Sequence, residues 1–274
     1  MARIRVRTPR IARVTSLVAL SALLPLLTGC GDEGTASRGS EDHTAAGHKP
    51  VVVATTTWEG AFARAAGAED VTVIVPQSVH HAPDYDPKPS DLAAIAKADF
   101  VLYAPFEPYA AQIKEAAGSK AELVEVNLDN EPAKAAAEVA RLGGLFGTKE
   151  AAGQWKTRLD GEVRKLNGDL EAAWPDGKSP SVVTQVFTAW AAGLAGATPV
   201  GTYGPEAVTP AQLAALSAKK PAFVLDNAHM STGTVLPGSG AKQVEIVNYP
   251  GRDLDLLAVY RNAAAELKKA MAGS

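Results

Sequence analysis

Val51-Val52-Val53-Ala54-Thr55-Thr56-Thr57, followed at once by Trp58-Glu59-Gly60, is the stretch on which the fold turns. It is almost wholly β-branched and does not alternate with polar residues. Such a run reads as a strand buried on both faces, which is the habit of parallel sheets. Working outward, residues 61–66 read as a short helix ended by Gly67, and residues 71–75 as a second strand stopped by Pro76. A polar loop with His80 and His81 follows. Pro89-Ser90-Asp91 opens a helix that runs to Lys97, with Ser90 able to cap and Asp91 suited to the first turn. Residues 100–103 and 123–126 read as further strands, with a helix over 107–117 between them that closes at Gly118.

This alternation predicts an α/β unit. Ligands of such sheets sit beyond the carboxyl ends of the strands. Glu59, His80, His81, Glu107, Glu125 and Asp129 all fall at or just after an expected strand end. From Glu131 to about Trp174 no strand is expected. Residues 133–145 and 149–173 are helical in pattern, and Gly143-Gly144 and Gly147 leave open one kinked helix or two consecutive ones. After Pro175-Asp176-Gly177 the alternation resumes, with strands at 181–187, 199–203, 222–226 and 243–247 and helices at 189–194, 210–219 and 254–271. The expected fold is therefore α/β, with two parallel-sheet lobes joined by a long helical backbone and a ligand cleft between them. The lobes span 50–128 and 176–274, and residues 129–175 link them.

The N-terminus reads as an address. Arg3, Arg5, Arg7, Arg10 and Arg13 precede an apolar run over 14–27, which is too short for a secure membrane span. Leu27-Thr28-Gly29-Cys30 then resembles the lipobox of bacterial lipoproteins. That resemblance implies a signal peptide over 1–29, cleavage before Cys30, and a lipid on its sulfur that anchors the chain to the outer face of the cell membrane. Residues 30–49 carry no apolar period and read as a flexible tether, with His43 and His48 solvated in it.

Cys30 is the only cysteine, which rules out a disulfide framework or a thiolate-rich zinc site within one chain. Without the five leader arginines, 22 basic residues face 30 acids. An acidic body argues against a nucleic-acid partner and is compatible with a cationic ligand. There is no zinc-protease helix motif and no Gly-x-Ser-x-Gly elbow, so an enzyme is not expected. The run over 232–240 lacks a Gly-Lys-Ser/Thr ending. It reads as a mobile loop near the cleft and not as a phosphate loop.

Pro83-Asp84-Tyr85-Asp86-Pro87-Lys88-Pro89-Ser90-Asp91-Leu92 resembles the signature of the zinc- and manganese-binding proteins of ABC importers. In that family a His, an aromatic residue two positions on, an acid-Pro pair and a Pro-Ser-Asp helix start recur in this order. Ala98 to Tyr103, Phe106-Glu107-Pro108-Tyr109 and Val126-Asn127-Leu128-Asp129-Asn130 are similar to it as well. The resemblance implies capture of a divalent transition metal ion, zinc or manganese, as transported ligand. It implies as partner an ABC permease and its ATPase in the membrane.

The family's four ligand positions fall here on Pro83, Glu125, Gln185 and Asn248. Of these Glu125 remains a legitimate, if harder, ligand. His81 lies two residues before Pro83. In the second lobe Asp226 stands at an expected strand end and His229, the only histidine after residue 81, stands in the next loop. The expected metal ligands are therefore His81, His229, Glu125 and Asp226. Glu59, Glu107 and His80 are weaker candidates. Trp58, Tyr85 and Trp190 read first as core residues. The substituted positions keep a second reading open, in which the same cleft takes a metal chelate or another small organic ligand.

Overall fold

The computed structural model describes residues 49–75, 85–107, 110–118, 120–231 and 233–273. The signal peptide, Cys30, nearly all of the tether, His80, His81 and Pro83 lie outside the described residues. Two four-stranded parallel sheets carry the architecture, both within the unit Asp42–Ser274. The first holds β1 (Val51–Ala54), β2 (Asp70–Val73), β3 (Phe100–Tyr103) and β4 (Glu122–Glu125) in the order β2-β1-β3-β4. The second holds β5 (Ser181–Gln185), β6 (Thr198–Tyr203), β7 (Phe223–Asn227) and β8 (Lys242–Ile246) in the order β6-β5-β7-β8. The expected α/β class, two parallel-sheet lobes with flanking helices, is the one observed.

β1 stops at Ala54, three residues before the β-branched run ends, because Thr56 caps the next helix. Its hydroxyl accepts from Trp58 N at 3.2 Å, and the Glu59 carboxylate reaches back to Thr56 N at 3.0 Å. This reciprocal box starts α1 (Thr57–Ala65) four residues before the expected position. In α2 (Pro89–Ile95) it is Asp91 and not Ser90 that satisfies the helix start. Its Oδ2 accepts from Lys88 N at 2.8 Å and from the Tyr85 hydroxyl at 2.7 Å. α3 (Ala110–Ala117) closes at Gly118 in the left-handed region, φ +59°.

The linking segment is two helices, α4 (Pro132–Leu145) and α5 (Lys149–Glu171). Gly147 sits between them at φ +72°, a conformation that favours glycine. They cross closely at Gly143, where an added Cβ would lie 2.6 Å from that of Ala152. α6 (Ala189–Leu194), α7 (Pro210–Ser217) and α8 (Leu256–Ala272) complete the second lobe. One apolar core runs through both lobes, joining Phe62 and Phe100 to Leu142, Leu159, Phe223 and Tyr260. α8 also packs on α1 and α5, so the lobes share a common helical spine. The loop after residue 232 is pinned rather than free. Val235 and Leu236 are buried, and Val235 N donates to Gln243 Oε1 at 2.9 Å.

Candidate functional site

Both sheets have the same strand order, so each has a switch point where consecutive connections leave in opposite directions. In the first sheet it lies between β1 and β3, and in the second between β5 and β7. Crevices beyond the carboxyl ends of the strands at such points are where α/β sheets take ligands. The loops there deliver Glu59 and Glu107 from one lobe and Phe187, His229 and Met230 from the other. All five line a cleft of about 1580 Å³ between the lobes.

Glu59 is fully buried at the floor. Its Oε2 is held by the backbone N–H and hydroxyl of Thr56, but its Oε1 has no hydrogen-bond partner. Burial raises its pKa above the usual carboxylate range. Glu107 is buried as well, and its Oε2 accepts from Ala104 N at 3.0 Å. Tyr249, in the loop after β8, has its hydroxyl pushed up by burial and then by the charges of Glu59 and Glu107. The tyrosine of one lobe thus feels both carboxylates of the other.

Trp58, Tyr249 and His229 form a chain of rings across the cleft. Trp58 and Tyr249 lie 4.7 Å apart, and His229 meets Tyr249 edge-on at 4.3 Å. A hydrogen-bonded chain runs beneath them. Trp58 Nε1 donates to Asn130 Oδ1 at 3.1 Å, Asn130 Nδ2 to the Asn248 carbonyl at 3.0 Å, and Trp190 Nε1 to Asn248 Oδ1 at 2.9 Å. Asn248 Nδ2 is buried without a partner. Trp58 and Trp190 therefore line the cleft while their indole N–H groups bond Asn130 and Asn248, whose own hydrogen bond links the helical segment to the second lobe.

The structure separates the expected ligands. His229 lines the cleft. Asp226 does not. It is buried at the end of β7, where Tyr203 Oη and Asn227 N donate to Oδ1 at 2.5 and 2.9 Å and Gln243 Nε2 donates to Oδ2 at 3.2 Å. The neighbouring cavity, about 170 Å³, is a different one, shared with Gln185 and Tyr203. Three donors occupy the carboxylate, which makes it a structural acid, and Tyr203 is raised by burial and by this contact. Glu125 ends β4 with its side chain exposed and away from the cleft lining. Around it, Arg141 Nη2 donates to the Glu125 carbonyl at 2.7 Å and Asn127 N donates to Glu138 Oε1 at 3.1 Å, which fixes the end of the strand.

Gln185 Oε1 accepts from Phe187 N at 2.6 Å, and the Asn248 amide is committed to Trp190. Both serve the frame of the second lobe. Among the described residues no group of three or more His, Cys, Asp or Glu is gathered as for a metal ion. His81 lies outside those residues.

Sequence reasoning missed the apolar mouth. Phe106, Val186, Phe187 and Met230 are the large apolar side chains that line the cleft while 71, 37, 51 and 43 % exposed. The available signal was that Phe106 and Phe187 both follow strand ends, one in each lobe.

Comparison with known proteins bears out the resemblance read from the sequence. Residues 52–167 match the model of the family described as zinc-uptake complex component A, periplasmic. Among curated proteins none matches this sequence. Solved structures share the fold at low identity. The laminin-binding protein Lmb of Streptococcus agalactiae, described as a bifunctional protein with adhesin and metal transporting activity, is 17 % identical with a TM-score of 0.61, over 81 % of this chain and 99 % of that one. The solute-binding protein FpvC of Pseudomonas aeruginosa, solved in complex with Mn2+, is 15 % identical with a TM-score of 0.60, over 82 % and 98 %. The metal-dependent lipoprotein YcdH of Bacillus subtilis is 18 % identical with a TM-score of 0.55, over 81 % and 98 %.

Proposed function

We propose that this chain is the extracytoplasmic substrate-binding component of an ABC importer, capturing a divalent transition metal ion, zinc or manganese, in the cleft between its lobes. The observation that carries the reading is the convergence of both switch points on one cleft, with Glu59 and Glu107 from one sheet and His229 from the other. Carboxylate and imidazole are donors suited to zinc and manganese. The family match over residues 52–167 points the same way. His229 is the second-lobe ligand in this account and His81 is its first-lobe counterpart. Asp226 and Glu125 are left to the frame.

The ion is cargo, so the protein holds it without turning anything over. Lipid on Cys30 keeps the receptor at the outer face of the membrane, beside the permease it serves. The basic and apolar leader ending in Leu27-Thr28-Gly29-Cys30 supports that part of the reading.

Calorimetric titration of the purified chain with Zn2+ and with Mn2+ tests the first part, and about one site per chain is expected for at least one of them. No binding of either ion sinks it. For the anchor, Cys30→Ser is expected to move the protein from the membrane fraction to the medium or periplasm. Retention in the membrane contradicts it.

A further inference from the structure

A hydrated ion is small for this cleft. With about 30 Å³ per water, an ion carrying six waters fills about 200 Å³, whereas the cleft measures about 1580 Å³. Its mouth is apolar on both sides, with Phe106 on the first lobe and Phe187 and Met230 on the second, each more than 40 % exposed. Large apolar side chains held open to water around a concavity mark a surface with a use. The floor has the opposite character. Glu59 Oε1 and Asn248 Nδ2 are buried among the cleft-lining residues without hydrogen-bond partners. Buried polar atoms are ordinarily satisfied, so an unsatisfied acceptor and donor in one cleft point to groups supplied from outside. An apolar wall with a few polar atoms at its base is the form of an organic-ligand site.

Charge narrows the class of ligand. Asp129 is neutralised by Lys134 at 2.6 Å and Asp160 by Lys156 at 2.6 Å along the helical side of the cleft. Among the described residues Glu59 has no such cation beside it. A ligand that is apolar at its rim and positive at its centre meets both parts of the site.

We propose that the metal enters this cleft as the complex of a small aromatic chelator, whose apolar surface covers Phe106, Phe187 and Met230 and whose positive centre lies toward Glu59. This rests on the metal-capture reading and names the form in which the cargo arrives. It accounts for the substituted family positions: a chelator that supplies most of the donors leaves fewer to the protein.

Calorimetry with three probes tests it: Zn2+ alone, 1,10-phenanthroline alone, and their one-to-one complex. The complex is expected to bind at least about tenfold more tightly than either component. In the double variant Phe106→Ala/Phe187→Ala that advantage is expected to vanish while affinity for Zn2+ alone is unchanged. Both side chains are exposed, and a thermal melt matching the parent shows that the variant is folded. Equal affinity for Zn2+ and the complex overturns the inference and leaves metal capture standing. Equal affinity for phenanthroline and the complex overturns it in favour of a metal-free organic ligand. Binding of none of the three removes both readings.

Discussion

Asn130, at the start of the helical linker, and Asn248, in the loop after the last strand of the second lobe, are joined by a hydrogen bond of 3.0 Å between residues 118 positions apart. Asn130 also receives the indole N–H of Trp58, and Asn248 that of Trp190. Two amides therefore bind one tryptophan from each lobe into a single strap under the cleft. The strap uses the position at which the resembling family carries a metal-ligating acid. Asn248 Oδ1 is already occupied by the Trp190 N–H, and it is the Asn248 backbone carbonyl that accepts from Asn130.

Asn130→Ala is expected to cost about 2 kcal/mol, because it leaves the Trp58 N–H and the Asn248 carbonyl unpaired in a largely buried place. Urea unfolding followed by tryptophan fluorescence measures it. A loss below about 0.5 kcal/mol would mean that the strap contributes little.

Asp226→Ala separates a structural acid from a ligand. Removing an acceptor with three donors, one of them the Tyr203 hydroxyl, is expected to cost about 3 kcal/mol. Zinc affinity of the folded variant is expected to stay within about twofold of the parent. A tenfold loss of affinity in a variant that still melts cooperatively would return Asp226 to the ligand set.

Stability should respond to pH through Glu59. Its folded-state pKa is raised, so the folded chain holds the proton more tightly than the unfolded chain. Its contribution is present below the unfolded value and is lost as pH rises through the folded value. Glu59→Gln, which cannot ionise, should flatten the fall of Tm as pH rises above the ordinary carboxylate range. Metal binding should strengthen over the same window in the parent and not in the variant. An unchanged Tm profile in Glu59→Gln would show that another group governs it.

The helical linker depends on close approach at Gly143. Gly143→Val would press against Ala152 and is expected to lower stability by about 1–3 kcal/mol. Gly144→Val, one position on, meets only the flexible end of Lys149 at 3.9 Å and is the control. Equal losses in the two variants would contradict the crossing.

Both sheets were legible in the sequence because buried parallel strands are written as short apolar runs, and Val51–Ala54 and Phe223–Asn227 leave little else to read. The start of α1 was not read, because Thr55-Thr56-Thr57 favours a strand by side-chain shape while Thr56 acts by its hydroxyl. The Thr56-x-x-Glu59 spacing of a capping box was the signal that identifies it. Asp226 looked like a ligand because an acid at a strand end is ambiguous until its partner is known. That partner, Tyr203, sits 23 residues earlier on β6, the edge strand separated from β7 by β5. Glu125 is ambiguous in the same way: the end of β4 turns its side chain outward, and the cleft lining of this segment begins at Asn127. The strap between Asn130 and Asn248 has no local signature, since it exists only once both lobes are folded.

Metal capture across the two lobes is tested most directly by elemental analysis after equilibrium dialysis. The untagged chain and its His229→Ala variant are dialysed against micromolar zinc and manganese without chelators. About one ion per chain is predicted to remain in the parent for one of the two metals, falling to about a tenth or less in the variant. Equal retention in the two proteins, or none in either, would contradict the account.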